Sequence, residues 1–130
     1  MCNSADQRLF MELGGQTTRV WNRQQANGYM NHINEEARET REAWEAGDMM
    51  KTVDGVIDLM VVCEGFLASL GIDGREGWEA VMKANFSKVD SSLGPIVWRE
   101  DGQIGKPEGF VPPDAALRKI VDRAISVQKE

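Results

Sequence analysis

The chain has 130 residues, 42% of them hydrophobic and 28% charged, with a formal net charge of -6 and a pI near 4.9. That length suits a single domain over residues 1–130 whose modest core self-association would help to complete. The acidic balance argues against sequence-independent binding to nucleic acid or an anionic membrane surface, and no apolar run approaches the roughly 20 residues that span a bilayer.

An acidic protein can still hold a polyphosphate when metal ions stand between its carboxylates and the phosphate oxygens. The opening MCNSADQRLF has neither the basic start nor the apolar run of a signal peptide, so a cytosolic protein is expected. Cys2 and Cys63 then read as two free thiols.

Residues 4 to 13 predict a short first helix with Leu9, Phe10 and Leu13 inward, ended by Gly14 and Gly15, and a loop follows through Asn27. From Asn27 to Ala46 the residues Tyr29, Ile33, Ala37, Thr40 and Trp44 share one sector at 3.6 residues per turn, and Gly47 closes the helix. Met49 to Leu70 is apolar nearly all round, which predicts a helix buried among others and stopped by Gly71. A fourth helix, Gly74 to Val89, is expected to bury Trp78, Val81, Met82 and Phe86. Residues 90 to 114 hold all four prolines and several glycines, predicting an irregular arm with a hairpin at Asp101-Gly102. A final amphipathic helix, with Asp114 as N-cap, carries Leu117, Ile120, Val121, Ala124 and Ile125 on one face.

Carboxylates dominate two consecutive helices. Glu36 and Glu39 lie on one flank of the second helix's apolar face, whereas Glu35 and Glu42 point further toward solvent, with Arg38 and Arg41 as possible partners. Asp54 and Asp58 form, with Lys51 and Gly65, a narrow polar stripe on the otherwise apolar third helix. The short Ala46-Gly47-Asp48 connection makes the helices antiparallel neighbours, so Glu36, Glu39, Asp54 and Asp58 can meet in an oxygen-rich pocket suited to Mg²⁺ or Mn²⁺. His32 projects from the same flank one turn before Glu36, more in keeping with a hydrogen-bonded bystander than with a proton carrier. Trp21, in a polar loop, offers an indole that can stack on a base.

Glu35-Glu36-Ala37-Arg38-Glu39 and Asp54-Gly55-Val56-Ile57-Asp58 approximate the EExxE and ExxD motifs of the all-α NTP pyrophosphatases, the MazG-like superfamily, which the chain resembles. VMKANFSKV at 81 to 89 and WREDGQIGKPEGFVPPD at 98 to 114 are similar to the ends of phage and bacterial members, the phage MazZ-type enzymes among them. One departure stands out: Gly55 occupies the place of the second motif's Glu, with Asp54 just before it.

The resemblance implies an all-α fold, a MazG-like four-helix bundle core with an irregular C-terminal arm and a final helix. It implies that Glu36, Glu39 and Asp58 bind Mg²⁺, that Asp54 completes the cluster, and that Glu35 is a further ligand or orients the attacking water. Asn85 and Lys88 would hold phosphate oxygens, with Lys83 and Lys106 as weaker candidates, and Gln16 and Trp21 would contact the base. The expected function is metal-dependent hydrolysis of a (deoxy)nucleoside triphosphate, dGTP first, to the monophosphate and pyrophosphate by a homodimer or homotetramer. A pyrimidine or broad housecleaning pyrophosphatase, or a helical assembly module with no activity, is the alternative.

Overall fold

A computed structural model describes residues 3–128, so Cys2 lies outside the described residues. The chain is all-α, with five helices and no strand among the described residues: α1 Asn3–Leu13, α2 Arg23–Glu45, α3 Met49–Ser69, α4 Gly74–Ser87 and α5 Asp114–Gln128. Two units separate by packing, one of residues 3–74 with 123–128, the other of residues 75–122. No single helix is long and apolar enough to cross a membrane.

In the first unit α1 and α2 both pack on α3. α2 starts four residues before the expected Asn27, because Asn22 caps it by accepting a hydrogen bond from the Gln25 N–H at 3.1 Å. Gly47, at φ +75°, turns the chain where a side chain would be strained, and Asp48 caps α3 by accepting from the Lys51 N–H.

Three side-chain meetings fix the antiparallel register of α2 and α3. Thr40 abuts Gly55, the Tyr29 ring lies on Gly65, and Gln25 Nε2 donates to Ser69 Oγ at 2.8 Å. The helices approach this closely because α3 presents small residues: Gly55, Val62, Gly65, Ala68 and Ser69 are its buried positions.

This corrects the expectation of an α3 buried on all sides. Met50, Val53, Ile57 and Met60 are exposed, Met50 by 79%. α1 also departs from its expected face: Ser4, Gln7 and Met11 are buried while Leu9, Phe10 and Leu13 are exposed. The polar residues are tolerated inside because partners await them. Ser4 donates to Glu64 at 2.6 Å, the Gln7 side chain hydrogen-bonds the Tyr29 hydroxyl, and Arg8 pairs with Asp73 at 2.8 Å. Trp44 is likewise exposed. Cys63 is a free thiol, held above its ordinary pKa by partial burial and the adjacent Glu64 carboxylate.

In the second unit α4 ends at Ser87, two residues earlier than expected, and hydrogen bonds from the Ser92 side chain and then the Ser92 N–H hold the Asp90 carboxyl below the usual range. Trp78, Val81 and Phe86, expected inside, are exposed, and only Met82 of that set is half-buried. The expected hairpin is present: Trp98 bridges Ile104, the Arg99 N–H donates to the Gln103 carbonyl at 2.8 Å, and Gly102 turns at φ +83°. Asp114 is the first residue of α5 rather than its cap, since the Pro113 carbonyl accepts the first helical hydrogen bond, from the Leu117 N–H.

Candidate metal-binding and active site

The register set by Thr40–Gly55 and Tyr29–Gly65 brings Glu36 level with Asp58 across the α2–α3 seam. Glu36, Glu39, Asp54 and Asp58 line one concavity of about 490 Å³, together with Thr40, Glu42, Asp48, Lys51 and Gly55. The sequence-predicted core of the site is therefore gathered in one place. Glu35 is exposed and outside this lining. Glu42 also reaches the lining, but it points further toward solvent than Glu39, as expected, and pairs with Arg38 at 3.0 Å.

Electrostatics set this concavity apart from a solvated helix face. Arg38 reaches Glu42 and, at 3.9 Å, Glu39, while Arg41 pairs with Glu45. Among the described residues Glu36, Asp54 and Asp58 make no ion pair. Partial burial, then the negative charges of Asp58, Glu39, Glu35 and Asp54, hold the Glu36 carboxyl above the usual carboxylate range. A set of hard oxygen donors repelling one another is the donor chemistry that Mg²⁺ or Mn²⁺ satisfies. Among the described residues no three acidic, histidine or cysteine side chains already converge on one point. The donors fit a divalent cation in kind, with Glu39 and Asp54 exposed and Glu36 and Asp58 half-buried.

Periodicity misses that Thr40 lines this concavity, because it reads there as part of an apolar sector. Its Oγ1 is buried without a hydrogen-bond partner among the described residues, a state that costs on the order of 1–3 kcal/mol.

At the other end of the seam, the Tyr29 hydroxyl donates to Gln16 Oε1 at 2.6 Å, and the His32 ring stands edge-on to Tyr29 at 6.4 Å. Burial raises the Tyr29 pKa, and the hydrogen bonds to Gln16 and Gln7 partly offset it. The loop carrying Gln16 and Trp21 is tied to the end of α3: the Asn22 N–H donates to the Ser69 carbonyl at 2.7 Å, and Gln25 Nε2 donates to the Thr17 carbonyl. Gln16 is exposed and Trp21 half-buried.

The second unit gathers the expected phosphate-binding residues differently. Lys88 Nζ and Lys106 Nζ stand over the Phe110 ring at 5.0 and 5.8 Å from its centroid. Lys83 lines an apolar hollow of about 370 Å³ with Leu93, Val111 and Pro112, and Asn85 is half-buried with its amide against Met82 Sδ. Phe110 carries no signal in the sequence, since the arm must fold before it meets either lysine.

Against known families, the model of phosphoribosyl-ATP pyrophosphohydrolase matches residues 7–85, more than half of the chain. The chain belongs to the phosphoribosyl-ATP pyrophosphohydrolase family. That family is part of the MazG-like all-α NTP pyrophosphatase superfamily, in agreement with the motif resemblance and with the all-helical fold. It is a family of hydrolases that act on acid anhydrides. The matched segment of this phosphoribosyl-ATP pyrophosphohydrolase family member holds all five candidate carboxylates with Gln16, Trp21, Lys83 and Asn85, and ends before Lys88 and Lys106. No curated protein matches the chain.

Proposed function

We propose that the chain is a metal-dependent (deoxy)nucleoside triphosphate pyrophosphohydrolase that releases pyrophosphate and a nucleoside monophosphate. One observation carries the reading: in a pyrophosphohydrolase family member, Glu36, Glu39, Asp54 and Asp58 from two helices face one concavity with too few cations to neutralise them.

Glu36, Glu39 and Asp58, with Asp54, would hold Mg²⁺, for which Mn²⁺ can substitute. When bound, the ion supplies charge neutralisation on the phosphate oxygens and acidifies a water. Glu35, at the rim, is a further ligand or orients the attacking water and takes its proton. The new bond joins the water oxygen to the α-phosphorus, and the bond from that phosphorus to the bridging oxygen breaks. Asn85 and Lys88 are the residues proposed to hold phosphate oxygens, with Lys83 and Lys106 as weaker candidates, and Gln16 and Trp21 are those proposed to contact the base. Most of the rate then comes from positioning and electrostatics.

A purine deoxynucleotide, dGTP first, is the favoured substrate, in keeping with the resemblance to phage enzymes. The family match favours a second reading, phosphoribosyl-ATP itself, cleaved at the same type of anhydride. The exposed Met50, Val53, Ile57 and Trp44 support a homodimer or homotetramer.

The test is product analysis with each common NTP and dNTP and with phosphoribosyl-ATP, with and without Mg²⁺ or Mn²⁺. Metal-dependent release of pyrophosphate is expected, fastest from dGTP. Turnover of dUTP or dCTP alone would keep the chemistry and discard the purine. No turnover by folded protein would favour an assembly module.

A further inference from the structure

The hydroxyl of Thr40 packs on Gly55, but that contact uses its shape and leaves its polarity without an account. A threonine inside a helix commonly returns its hydroxyl hydrogen to the carbonyl one turn back, yet Thr40 Oγ1 has no hydrogen-bond partner among the described residues. The hydroxyl is shielded from solvent in the α2–α3 seam, and Thr40 is one of the residues that line the carboxylate concavity. Glu36 is one turn before it on the same helix face, and Glu39 adjoins it.

Gly55 explains how the hydroxyl comes to be there. A Cβ at Gly55 would overlap Thr40 Oγ1, and would come within 3.1 Å of Thr40 Cβ and 3.4 Å of Thr40 Cα. Position 55 is where the second motif of the resembling family carries a glutamate. Here Thr40 fills the volume that the first atoms of any side chain at position 55 would need.

We propose that Thr40 is a positioning residue of the metal site, its hydroxyl donating to the Glu36 carboxylate when the cluster closes on a divalent cation. This rests on the proposed metal-dependent reading. A neutral donor between mutually repelling carboxylates adds no charge, orients a ligand oxygen and gives the hydroxyl hydrogen the acceptor it lacks.

The experiment compares Mn²⁺ affinity, by isothermal titration calorimetry and by EPR of free Mn²⁺, in wild type, Thr40→Val and Thr40→Ser, alongside metal-free thermal stability. Valine keeps the shape and removes the hydroxyl; serine keeps the hydroxyl. Thr40→Val is expected to bind Mn²⁺ roughly 10- to 100-fold more weakly while its metal-free stability is equal or higher, and Thr40→Ser to bind within a few-fold of wild type. A purely structural threonine would reverse this split, lowering stability and leaving affinity alone. Equal Mn²⁺ affinity in wild type and Thr40→Val overturns the proposal while the metal site stands. A wild type that binds no Mn²⁺ overturns the metal-dependent reading, and the role of Thr40 with it.

Discussion

The ring of Tyr29 lies directly on the backbone of Gly65, with Cδ1 2.6 Å and Cζ 2.7 Å from where a Cβ at Gly65 would stand. No rotamer adjustment of a glycine neighbour this rigid relieves such an overlap. Gly65→Ala should therefore push α2 and α3 apart and cost about 1–3 kcal/mol, read as a lower midpoint in urea or thermal unfolding. Tyr29→Phe keeps the ring and removes the hydroxyl's bonds to Gln16 and to buried Gln7, so its cost should be about 1–3 kcal/mol.

Asp58→Ala removes a carboxylate that shares the concavity with Glu36 and that raises the Glu36 pKa. Wild type should gain roughly 2.7 kcal/mol at a Mn²⁺ concentration a hundredfold above Kd, and the variant should gain almost nothing. Differential scanning fluorimetry across a Mn²⁺ series checks this directly.

Because the Glu36 carboxyl is raised in the folded protein, the native state holds its proton more tightly than the unfolded chain does. Metal-free stability should fall as pH rises from the ordinary carboxylate value through the raised one, then stay at that lower level. Glu36→Gln should flatten this stretch and be more stable than wild type at neutral pH. In the same window Mn²⁺ affinity should rise with pH, since binding displaces the proton. Urea midpoints over a pH series, with the glutamine variant as control, give the sign.

Lys88 and Lys106 share the Phe110 ring, so removing either leaves the other partly held. Each single alanine variant should raise KM for the triphosphate roughly tenfold, the worth of one hydrogen bond to a charged oxygen. Phe110→Ala should do so more mildly, by loosening both ammonium groups. Unchanged KM in the double lysine variant would remove them from the substrate site.

Ile57→Glu places a charge amid exposed Val53, Met60 and Val61 on α3. Light scattering after size exclusion should show wild type as a dimer or tetramer and the variant shifted toward monomer. A monomeric wild type would instead leave α3 an exposed apolar face in solution.

Helix ends were legible because glycine chemistry is local: Gly15, Gly47 and Gly71 each follow a helix at positive φ. The pairing of Glu36 with Asp58 was legible too, since a short connection forces antiparallel neighbours. The inner face of α1 was not, because periodicity assigns apolar residues inward by default, whereas Ser4 and Gln7 are drawn in by Glu64 and Tyr29 from distant helices. The start of α2 was obscured by a first turn whose one apolar residue is the small, buried Ala26, so that the Asn22 cap carries most of the signal. Trp78 and Phe86 were assigned to a core that a single chain of this length does not build around them.

The Gly47 turn joins the two helices beside the concavity, so every donor from Glu36 to Asp58 belongs to one continuous hairpin of the chain. A site assembled from neighbours in sequence needs no long-range closure to exist, and it forms as soon as α2 folds back on α3. Under the proposed function, the hairpin that would hold the cation is thus written locally, while the residues proposed for the phosphates and the base all lie outside it.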